Sequence, residues 1–482
     1  MVVTAAAAPR VIHVVPPGGG GVDRCVRDLV RHQAGSLIVH AGTAQCVVEQ
    51  PAVSRFTPLA TGDLLRLAAE GALGAPLVLH AHGTVPVVRS LCDGLAAATA
   101  APFVLTLHDI WFADAALPEA ERAQRLDFVR RAAWRSAPSR FIVDHAQRVL
   151  GDAVLVLHVP LASAPFDPAV AAATTLSAAA DQACGDRGFS LAVIGAIGAH
   201  KGLAALEALA PRLPADLRIV VIGYTERQLR QGWTAGGRIW VHGIFHPEQL
   251  PRLAWLYGAR LALFPPGMPE SHCYALTDAW MSGLAVLAPD HGALAERVRH
   301  HGGGSLYDPA IGLDDWCARI VDEAAHARRF SGPVPLQTAL PTMEAMMSQM
   351  QALYDRLPAA GAPRPPDDEA VQRLAQKHLD GQFFRLEVTD LQRQVEAAWQ
   401  AGEACRQQLG EQQALAAQRL SDLDALHQRL AAQQAELVQA QQQRDASHAA
   451  YLGLRHRLLR PLLWLPAPLR RGLAALARRL RR

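Results

Sequence analysis

Short apolar runs that alternate with helical patterns set the strongest limit on what this chain can fold into. Helical spacing of apolar residues separates several of these runs, and glycine or proline ends most of them. This alternation predicts a doubly wound α/β domain that ends near residue 165. The runs in this first part are Val11–Val15, Leu37–His40, Leu77–His80, Phe103–Leu107 and Phe141–Val143.

The same alternation starts again near residue 189 and predicts a second α/β domain over residues 189–341. Residues 166–188 are rich in alanine and threonine without a strong period, so we interpret them as a link. Residues 342–357 form a closing helix whose methionine stripe is expected to pack into the core. The second set of strands is Leu191–Ile194, Leu217–Ile222, Ile239–His242, Arg260–Pro265 and Leu284–Pro289.

The bulk composition agrees with two globular domains. A chain of 482 residues with 50% hydrophobic residues is too long for one core. No apolar run is long enough to cross a membrane, and the N-terminal alanines lack the basic start of a signal peptide. The seven cysteines have no paired spacing, which argues against zinc and disulfides and favours a reducing cytoplasm.

Two glycine-rich loops each join a strand to a helix. Gly18–Gly21 follows the first strand, and residues 195–202 open the second domain with Lys201 at the mouth of the loop. Lys201 is one of only two lysines beside 45 arginines, which indicates that a compact positive charge is required there. Such loops place backbone N–H groups where a phosphate can bind, although neither loop has the dinucleotide or P-loop pattern.

Two acidic residues stand eight positions apart in the second domain. Glu270 lies in a loop after a strand, and Asp278 lies two turns into the following helix, on much the same face. A polar ligand at this helix N-terminus can meet both carboxylates and free backbone N–H groups. Taken alone, the pair is better explained as a solvated Glu and an Asp that interacts with the helix dipole.

Histidines occupy the carboxyl ends of two strands of the first domain, at His80, His82 and His108. Metal binding is one interpretation, but a third and fourth ligand are not evident. A satisfied hydrogen-bonding role is the simpler alternative. His108 is the better functional candidate, with Asp109 expected to orient it.

Together these motifs resemble the GT-B glycosyltransferases, specifically the large family of retaining enzymes numbered 4. The resemblance rests on the Gly18–Gly21 loop, the Gly195 to Gly202 loop with Lys201, and Glu270-x7-Asp278, and covers roughly residues 10–357. It implies two facing Rossmann-like domains and transfer of a sugar from a nucleotide-sugar with retention of configuration. It implies no metal or other cofactor, because lysine and helix N-termini stabilise the leaving diphosphate.

The resemblance also assigns roles to residues. Lys201 would contact the diphosphate at the Gly195 loop, Glu270 would hold sugar hydroxyls, and Asp278 would bind the ribose. His108 would lie near the donor sugar. Backbone groups of the remaining positions would complete the cleft, with His272 and Cys273 on the donor side and Gly20, Gly21 and Asp109 on the acceptor side.

The chain departs from the family pattern at two positions. Ala196 stands where the family often has arginine, and Asp278 stands where it usually has glutamate. Both changes weaken predicted donor contacts. They therefore keep open a non-catalytic scaffold, and a nucleotide-sugar epimerase of the same fold is a further alternative.

A C-terminal extension follows a proline-rich linker at residues 358–367. Residues 368–450 are rich in Gln, Ala and Leu, and a heptad of Leu409, Ala416, Leu423, Leu430 and Leu437 favours a coiled coil and a homo-oligomer. A long solvated helix is the alternative, because the partner seam is mostly polar. Residues 451–482 contain nine arginines and no acidic residue, opposite leucines and a tryptophan. This basic amphipathic pattern favours an anionic membrane over nucleic acid as the partner.

The sequence thus predicts a cytoplasmic glycosyltransferase at the inner face of the membrane. Its acceptor would be a glycan or lipid-linked molecule in cell-surface polysaccharide synthesis. The donor base, the sugar and the linkage do not follow from the sequence.

Overall fold

The structure is a computed structural model of the whole chain. It describes residues 9–18, 20–151, 153–184, 189–329, 332–358, 364–367 and 369–374, and, further on, 418–419, 422, 428–430, 432–434, 436–454, 456–457 and 467–479. The chain divides into two compact units, Met1–Gly381 and Gln382–Arg482. The first unit contains both predicted α/β domains.

The first domain is built on an eight-stranded sheet in the order β4-β3-β2-β1-β5-β6-β7-β8. Most neighbours are parallel, but β3 pairs antiparallel with β2 and with β4, which is the edge strand on that side. Apolar side chains on both faces of the central strands are covered by helices, as a parallel sheet requires. The strands are β1 Arg10–Val15, β2 Leu37–His40, β3 Gln45–Gln50, β4 Arg55–Ala60, β5 Leu77–His82, β6 Phe103–Thr106, β7 Trp134–Ala137 and β8 Leu157–His158.

One predicted strand of this domain is wrong. Phe141–Val143 lies in helix α5, and the strand of that unit is β7, just before it. The Ser139 hydroxyl accepts a hydrogen bond from the Ile142 N–H and starts the helix, whereas β7 is too polar to stand out as an apolar run. The helices of this half are α1 Gly21–Val30, α2 Thr61–Ala69, α3 Pro86–Thr99, α4 Glu119–Arg131 and α5 Arg140–Leu150.

The second domain has a seven-stranded sheet in the order β11-β12-β10-β9-β13-β14-β15, with only β11 antiparallel. All five strand predictions here are confirmed within a few residues. The predicted link contains two short helices, α6 Pro168–Ala173 and α7 Ala178–Cys184. The strands are β9 Phe189–Ile197, β10 Leu217–Thr225, β11 Gly232–Thr234, β12 Ile239–Val241, β13 Ala259–Leu263, β14 Ala285–Pro289 and β15 Gly304–Tyr307.

The closing helix connects the second domain back to the first. Met346, Met350 and Tyr354 are buried against β-strand residues of the first sheet, including Val11 and Val78. The methionine stripe is therefore core packing, as predicted. The helices of this half are α8 Leu203–Leu209, α9 Leu250–Leu256, α10 Tyr274–Met281, α11 Gly292–His301, α12 Leu313–Ala327 and α13 Met343–Tyr354.

The second unit is helical wherever the structure describes it. Residues 436–454 are helical throughout. Of the predicted heptad, Leu430 and Leu437 are exposed, and Leu409, Ala416 and Leu423 lie outside the described residues. A basic helix, α14, covers Ala467–Arg479. Among the described helices, none combines the length and hydropathy that a membrane crossing needs.

Candidate functional site

A cavity of about 450 Å³ lies between the two sheets, at the carboxyl ends of β1, β6, β9 and β13. It brings together almost every residue to which the resemblance assigns a role. Asp109 is the exception, because it does not line this cavity, and His80 and His82 do not line it either. The lining includes Gly20, Gly21, His108, Gly195, Ala196, Lys201, Glu270, His272, Cys273 and Asp278, together with Arg24, which the sequence analysis did not single out.

Lys201 and Glu270 form an ion pair in this cavity, with Nζ 3.1 Å from Oε1. Burial acts to lower the pKa of Lys201, but the Glu270 carboxylate outweighs it, so the pKa is raised and the ammonium stays charged. Gly202 allows the lysine loop to pack closely against the loop after β13, since a Cβ there would collide with the Pro266 carbonyl oxygen, and φ is +77°. The loop thus places one fixed positive charge beside one carboxylate.

Asp278 is paired across the cleft with an arginine of the first domain. Arg24 donates to both carboxylate oxygens, at 2.6 and 2.8 Å, and its guanidinium lies 4.5 Å from the centre of the Tyr274 ring. Asp278 is only 4% exposed. Burial raises the pKa of Asp278, although the hydrogen bonds from Arg24 act against this shift. Arg24 stands three residues after the end of the glycine loop, and no pattern in the sequence marked it.

The N-terminus of α10 points into the cavity without a side-chain cap. The residue before it, Cys273, has φ 66° and ψ 87°, a left-handed conformation that non-glycine residues rarely adopt. Backbone strain of this kind is common where a loop is shaped for a ligand. Burial raises the pKa of the Cys273 thiol to about 12, so the thiol is neutral and is no nucleophile.

This strain gives a prediction for two substitutions of Cys273. We expect Cys273→Gly to change the free energy of unfolding by less than about 1 kcal/mol, because relief of strain offsets the lost side chain. Cys273→Val should cost about 2 kcal/mol or more, because a β-branched residue is an outlier at positive φ. Denaturant unfolding measures both. Cys92→Val, at a buried cysteine within helix α3, is the control and should cost less than Cys273→Val.

Four histidines lie side by side at the wall of the cavity, with His108 lining it and His13, His80 and His82 buried behind. His82 contacts His13 and His108 through ring nitrogens 3.0 and 2.9 Å apart, and His13 Nε2 lies 2.9 Å from the Gln33 Oε1. The predicted orienter of His108 is therefore corrected. Asp109 accepts a hydrogen bond from the Trp111 N–H instead, because its carboxylate turns back onto its own loop.

His13 supplies the third member of a possible metal-binding group that the sequence did not reveal. Ring nitrogens of His13, His80 and His82 lie within 4.8 Å of one another. His80, however, binds the Tyr354 hydroxyl at 2.8 Å and the Thr106 hydroxyl at 2.7 Å. All six ring nitrogens of this group have protein partners, so the residues fit a hydrogen-bond network better than a metal ion.

The buried histidines make stability depend on pH. Burial lowers the pKa of His13 and of His108 from 6.5 to about 4. Between pH 4 and pH 6.5 the unfolded chain binds more protons at these histidines than the folded chain does. Their contribution to the free energy of unfolding is therefore complete above pH 6.5 and is lost as the pH falls towards 4. A fall in pH from 7 to 5 should therefore lower the free energy of unfolding by about 2 kcal/mol for each of the two histidines.

We therefore expect His13→Gln to reduce the loss of unfolding free energy between pH 7 and pH 5 by about 2 kcal/mol, whatever its effect at pH 7. Denaturant titrations at both pH values measure this difference. His246→Gln changes a histidine that is exposed at the surface and serves as control. An equal acid loss in wild type and His13→Gln would contradict the assignment.

A second cavity of about 520 Å³ lies behind the first, between α5, α11 and α13. His272 lines both cavities, and neither of its ring nitrogens has a partner among the described residues. The Glu296 carboxylate crosses between the domains here and accepts from the backbone N–H groups of Arg140 and Phe141, both at 2.8 Å. This contact satisfies free donors at the start of α5.

Solved structures show which fold this architecture is. The chain is similar to HepE of Anabaena, crystallised in complex with UDP, with a TM-score of 0.50 and 15% identity over 72% of this chain and 100% of HepE. The catalytic domain of starch synthase IV from Arabidopsis thaliana has a TM-score of 0.49 and 11% identity over 73% of this chain and 99% of that one. Sucrose-phosphate synthase from Thermosynechococcus elongatus has a TM-score of 0.46 and 14% identity over 81% of this chain and 100% of that one. The fold is GT-B, as the motifs predicted.

Sequence comparison adds no family assignment. No protein-family model matches the chain, and no curated protein matches it. At 15% identity the likeness to HepE concerns the fold alone.

Proposed function

We propose that this protein is a glycosyltransferase that moves a sugar from a nucleotide-sugar to a hydroxyl acceptor with retention of configuration. The observation that carries the proposal is the Lys201–Glu270 pair at 3.1 Å, in a cavity between the two sheets of a GT-B fold. Glycosyl transfer separates a diphosphate from the sugar, and the site has to accommodate the negative charge that develops on it.

The cavity holds groups suited to that charge. The Lys201 ammonium supplies a point charge, and the uncapped N-termini of α1 and α10 add backbone N–H donors on opposite walls. A Cβ at Gly20 or at Gly195 would meet nothing within 4 Å, so both backbones border open space. In this proposal the diphosphate lies between Lys201 and the two helix N-termini.

Glu270 serves the sugar in this proposal. Its carboxylate is half-buried beside Lys201 and can accept hydrogen bonds from sugar hydroxyls. The free N–H groups at the start of α10 lie beside it. His108 lines the opposite wall of the cavity, from the first domain. The donor sugar is thus held between groups of both domains.

The ribose role of Asp278 has to take Arg24 into account. Each carboxylate oxygen already accepts one hydrogen bond from Arg24, which leaves one further acceptor position on each. We propose that ribose hydroxyls bind at these remaining positions while Arg24 stays in place. The shorter side chain of aspartate suits this, because the carboxylate is shared between a ligand and the opposite domain.

The direct test is a donor screen on the purified full chain. UDP-, GDP-, dTDP- and ADP-sugars are added singly, and the melting temperature and the release of nucleoside diphosphate are measured. We expect one base to raise the melting temperature through linkage and to support diphosphate release. The proposal fails if no donor does either at millimolar concentration.

A non-catalytic scaffold is the second candidate, and two observations favour it. Ala196 lines the cavity and offers no phosphate contact, and Asp278 is held by Arg24. A scaffold of this kind would bind nucleotide weakly or not at all and would release no diphosphate from any donor. Release that disappears in Lys201→Ala would exclude it.

We propose further that the acceptor is a glycan or lipid-linked molecule at a membrane surface, in cell-surface polysaccharide synthesis. The supporting observation is α14, in which Leu473 and Leu476 are 45% and 57% exposed and Arg470, Arg478 and Arg479 lie on the same short helix. Exposed leucines beside arginines suit the interface of an anionic bilayer.

Membrane association is measured by co-sedimentation of the full chain with vesicles. We expect binding to phosphatidylglycerol vesicles that weakens between 50 mM and 500 mM salt, and little binding to phosphatidylcholine alone. Leu473→Glu/Leu476→Glu should reduce binding at least tenfold, since it removes the apolar contacts and adds like charge to the anionic surface. Equal binding of wild type and this variant would contradict the proposal.

A further inference from the structure

An unbroken line of hydrogen bonds runs from the surface of the first domain to the cavity. It begins at Gln33, passes through His13 and His82, and ends at His108, with successive contacts of 2.9, 3.0 and 2.9 Å. The three histidines come from three neighbouring strands or their ends, β1, β5 and β6. His108 is the member that lines the cavity.

The direction of the line follows from its first member. Gln33 presents Oε1 to His13, and Ser36 donates to the same oxygen at 3.5 Å. An amide oxygen only accepts, so His13 carries its proton on Nε2 and accepts with Nδ1. His82 must then donate from Nε2 and accept with Nδ1, and His108 must donate from Nε2.

This leaves the Nδ1 of His108 as an unprotonated acceptor. Among the described residues no hydrogen bond involves that atom. His13 and His82 are 0% exposed, and burial lowers the pKa of all three rings, so each ring is neutral and carries a single proton at pH 7. Each proton position therefore determines the next one along the line.

We propose that Gln33, His13 and His82 are positioning residues that hold the proton of His108 on Nε2, so that Nδ1 accepts a hydrogen bond from a hydroxyl of the donor sugar. The proposal rests on the proposed function for the identity of that hydroxyl. The tautomer itself does not depend on it. A hydroxyl donor is selected over a group that can only accept, because an acceptor facing the Nδ1 lone pair would be left unpaired.

His80 offers a matched control within the same cluster. Its ring lies 4.1 Å from that of His82, but its nitrogens bind Tyr354 and Thr106 and take no part in the line. Tyr354 also interacts with Gln33, so the control is Thr106→Val, which removes the partner of His80 Nε2 without interrupting the line. Gln33→Met removes the acceptor at the start, whereas Gln33→Glu retains an acceptor at the same place.

The experiment is nitrogen NMR on the full chain with ring-labelled histidine, in which long-range correlations distinguish a proton on Nε2 from one on Nδ1. His108→Gln and His82→Gln assign the signals. We expect His13, His82 and His108 to be protonated on Nε2 in the wild type, in Thr106→Val and in Gln33→Glu. In Gln33→Met we expect a mixture of both tautomers at His108.

Donor kinetics provide the second readout. Gln33→Met should raise the KM for the active nucleotide-sugar about 3- to 10-fold, the size of one neutral hydrogen bond, with Thr106→Val and Gln33→Glu close to wild type. A proton on Nδ1 of wild-type His108, or an unchanged tautomer in Gln33→Met, would overturn the proposal. An unchanged KM beside a changed tautomer would overturn its sugar-binding part. If no donor is turned over, the NMR result still decides the tautomer, and the proposed function alone fails.

Discussion

Lys201→Ala should lower sugar transfer about 100- to 1,000-fold, the loss typical of removing one preorganised group that stabilises charge in a transition state. Lys201 is the cationic side chain that pairs with Glu270 in the cavity, at 3.1 Å. Lys201→Arg keeps the charge but replaces a compact ammonium by a wide planar group, so we expect an intermediate loss. The readout is kcat/KM for the donor that the screen identifies.

Glu270→Gln tests the other half of the pair in the same assay. It keeps the shape but removes the charge that holds Lys201 and accepts from sugar hydroxyls, and we expect a loss of similar size. Glu207→Gln is the matched control, because Glu207 forms an ion pair with Arg227 at 2.7 Å on the surface of the same domain. If both Lys201→Ala and Glu270→Gln transfer sugar at nearly the wild-type rate, the reaction does not take place in this cavity.

Arg24→Leu should destabilise the folded protein by about 3 kcal/mol, because it leaves the Asp278 carboxylate buried without its partner. Asp278 is 4% exposed and accepts both of its short hydrogen bonds from Arg24. This loss of stability is at the low end of the range for breaking a buried ion pair, because Asp278 borders a cavity that water can enter. The free energy of unfolding in denaturant measures it.

The double variant Arg24→Leu/Asp278→Leu distinguishes a lost pair from lost packing. It removes both charges, so most of the stability should return, and the double-mutant cycle should give a coupling of about 2 kcal/mol. Arg131→Leu is the control, since Arg131 pairs with Asp93 at the surface and should change stability by less than about 1 kcal/mol. A double variant as unstable as Arg24→Leu would show that the charge pair is not the cause.

Most of the fold could be predicted from the sequence because buried parallel strands read as continuous apolar runs. The apolar runs correctly marked all five predicted strands of the second domain. They did not mark β3 and β4, which form an antiparallel edge with mixed polarity, or β7, whose sequence is Trp-Arg-Ser-Ala. Edge and short strands are held by their neighbours, so their own residues carry a weaker pattern.

The candidate site was predicted to the extent that local motifs encode it. The glycine loops, Lys201 and Glu270 each stand at a strand end, and ligands of doubly wound sheets bind there. Their convergence in one cavity follows from the topology. The partners that cross between elements were missed. Arg24 is 254 positions from Asp278, and Gln33 is 20 from His13, with no periodicity to connect either pair.

The sequence by itself determined most of the alternation of strands and helices, the chemical groups at the main strand ends and the basic character of the tail. These follow from local periodicity, turn residues and charge. Only the tertiary structure decided which groups meet. It placed Asp278 against Arg24, turned Asp109 away from His108, and joined four side chains into one line of hydrogen bonds. The reason is physical: buried polar groups must find partners, and the packing of distant elements determines which partners are within reach.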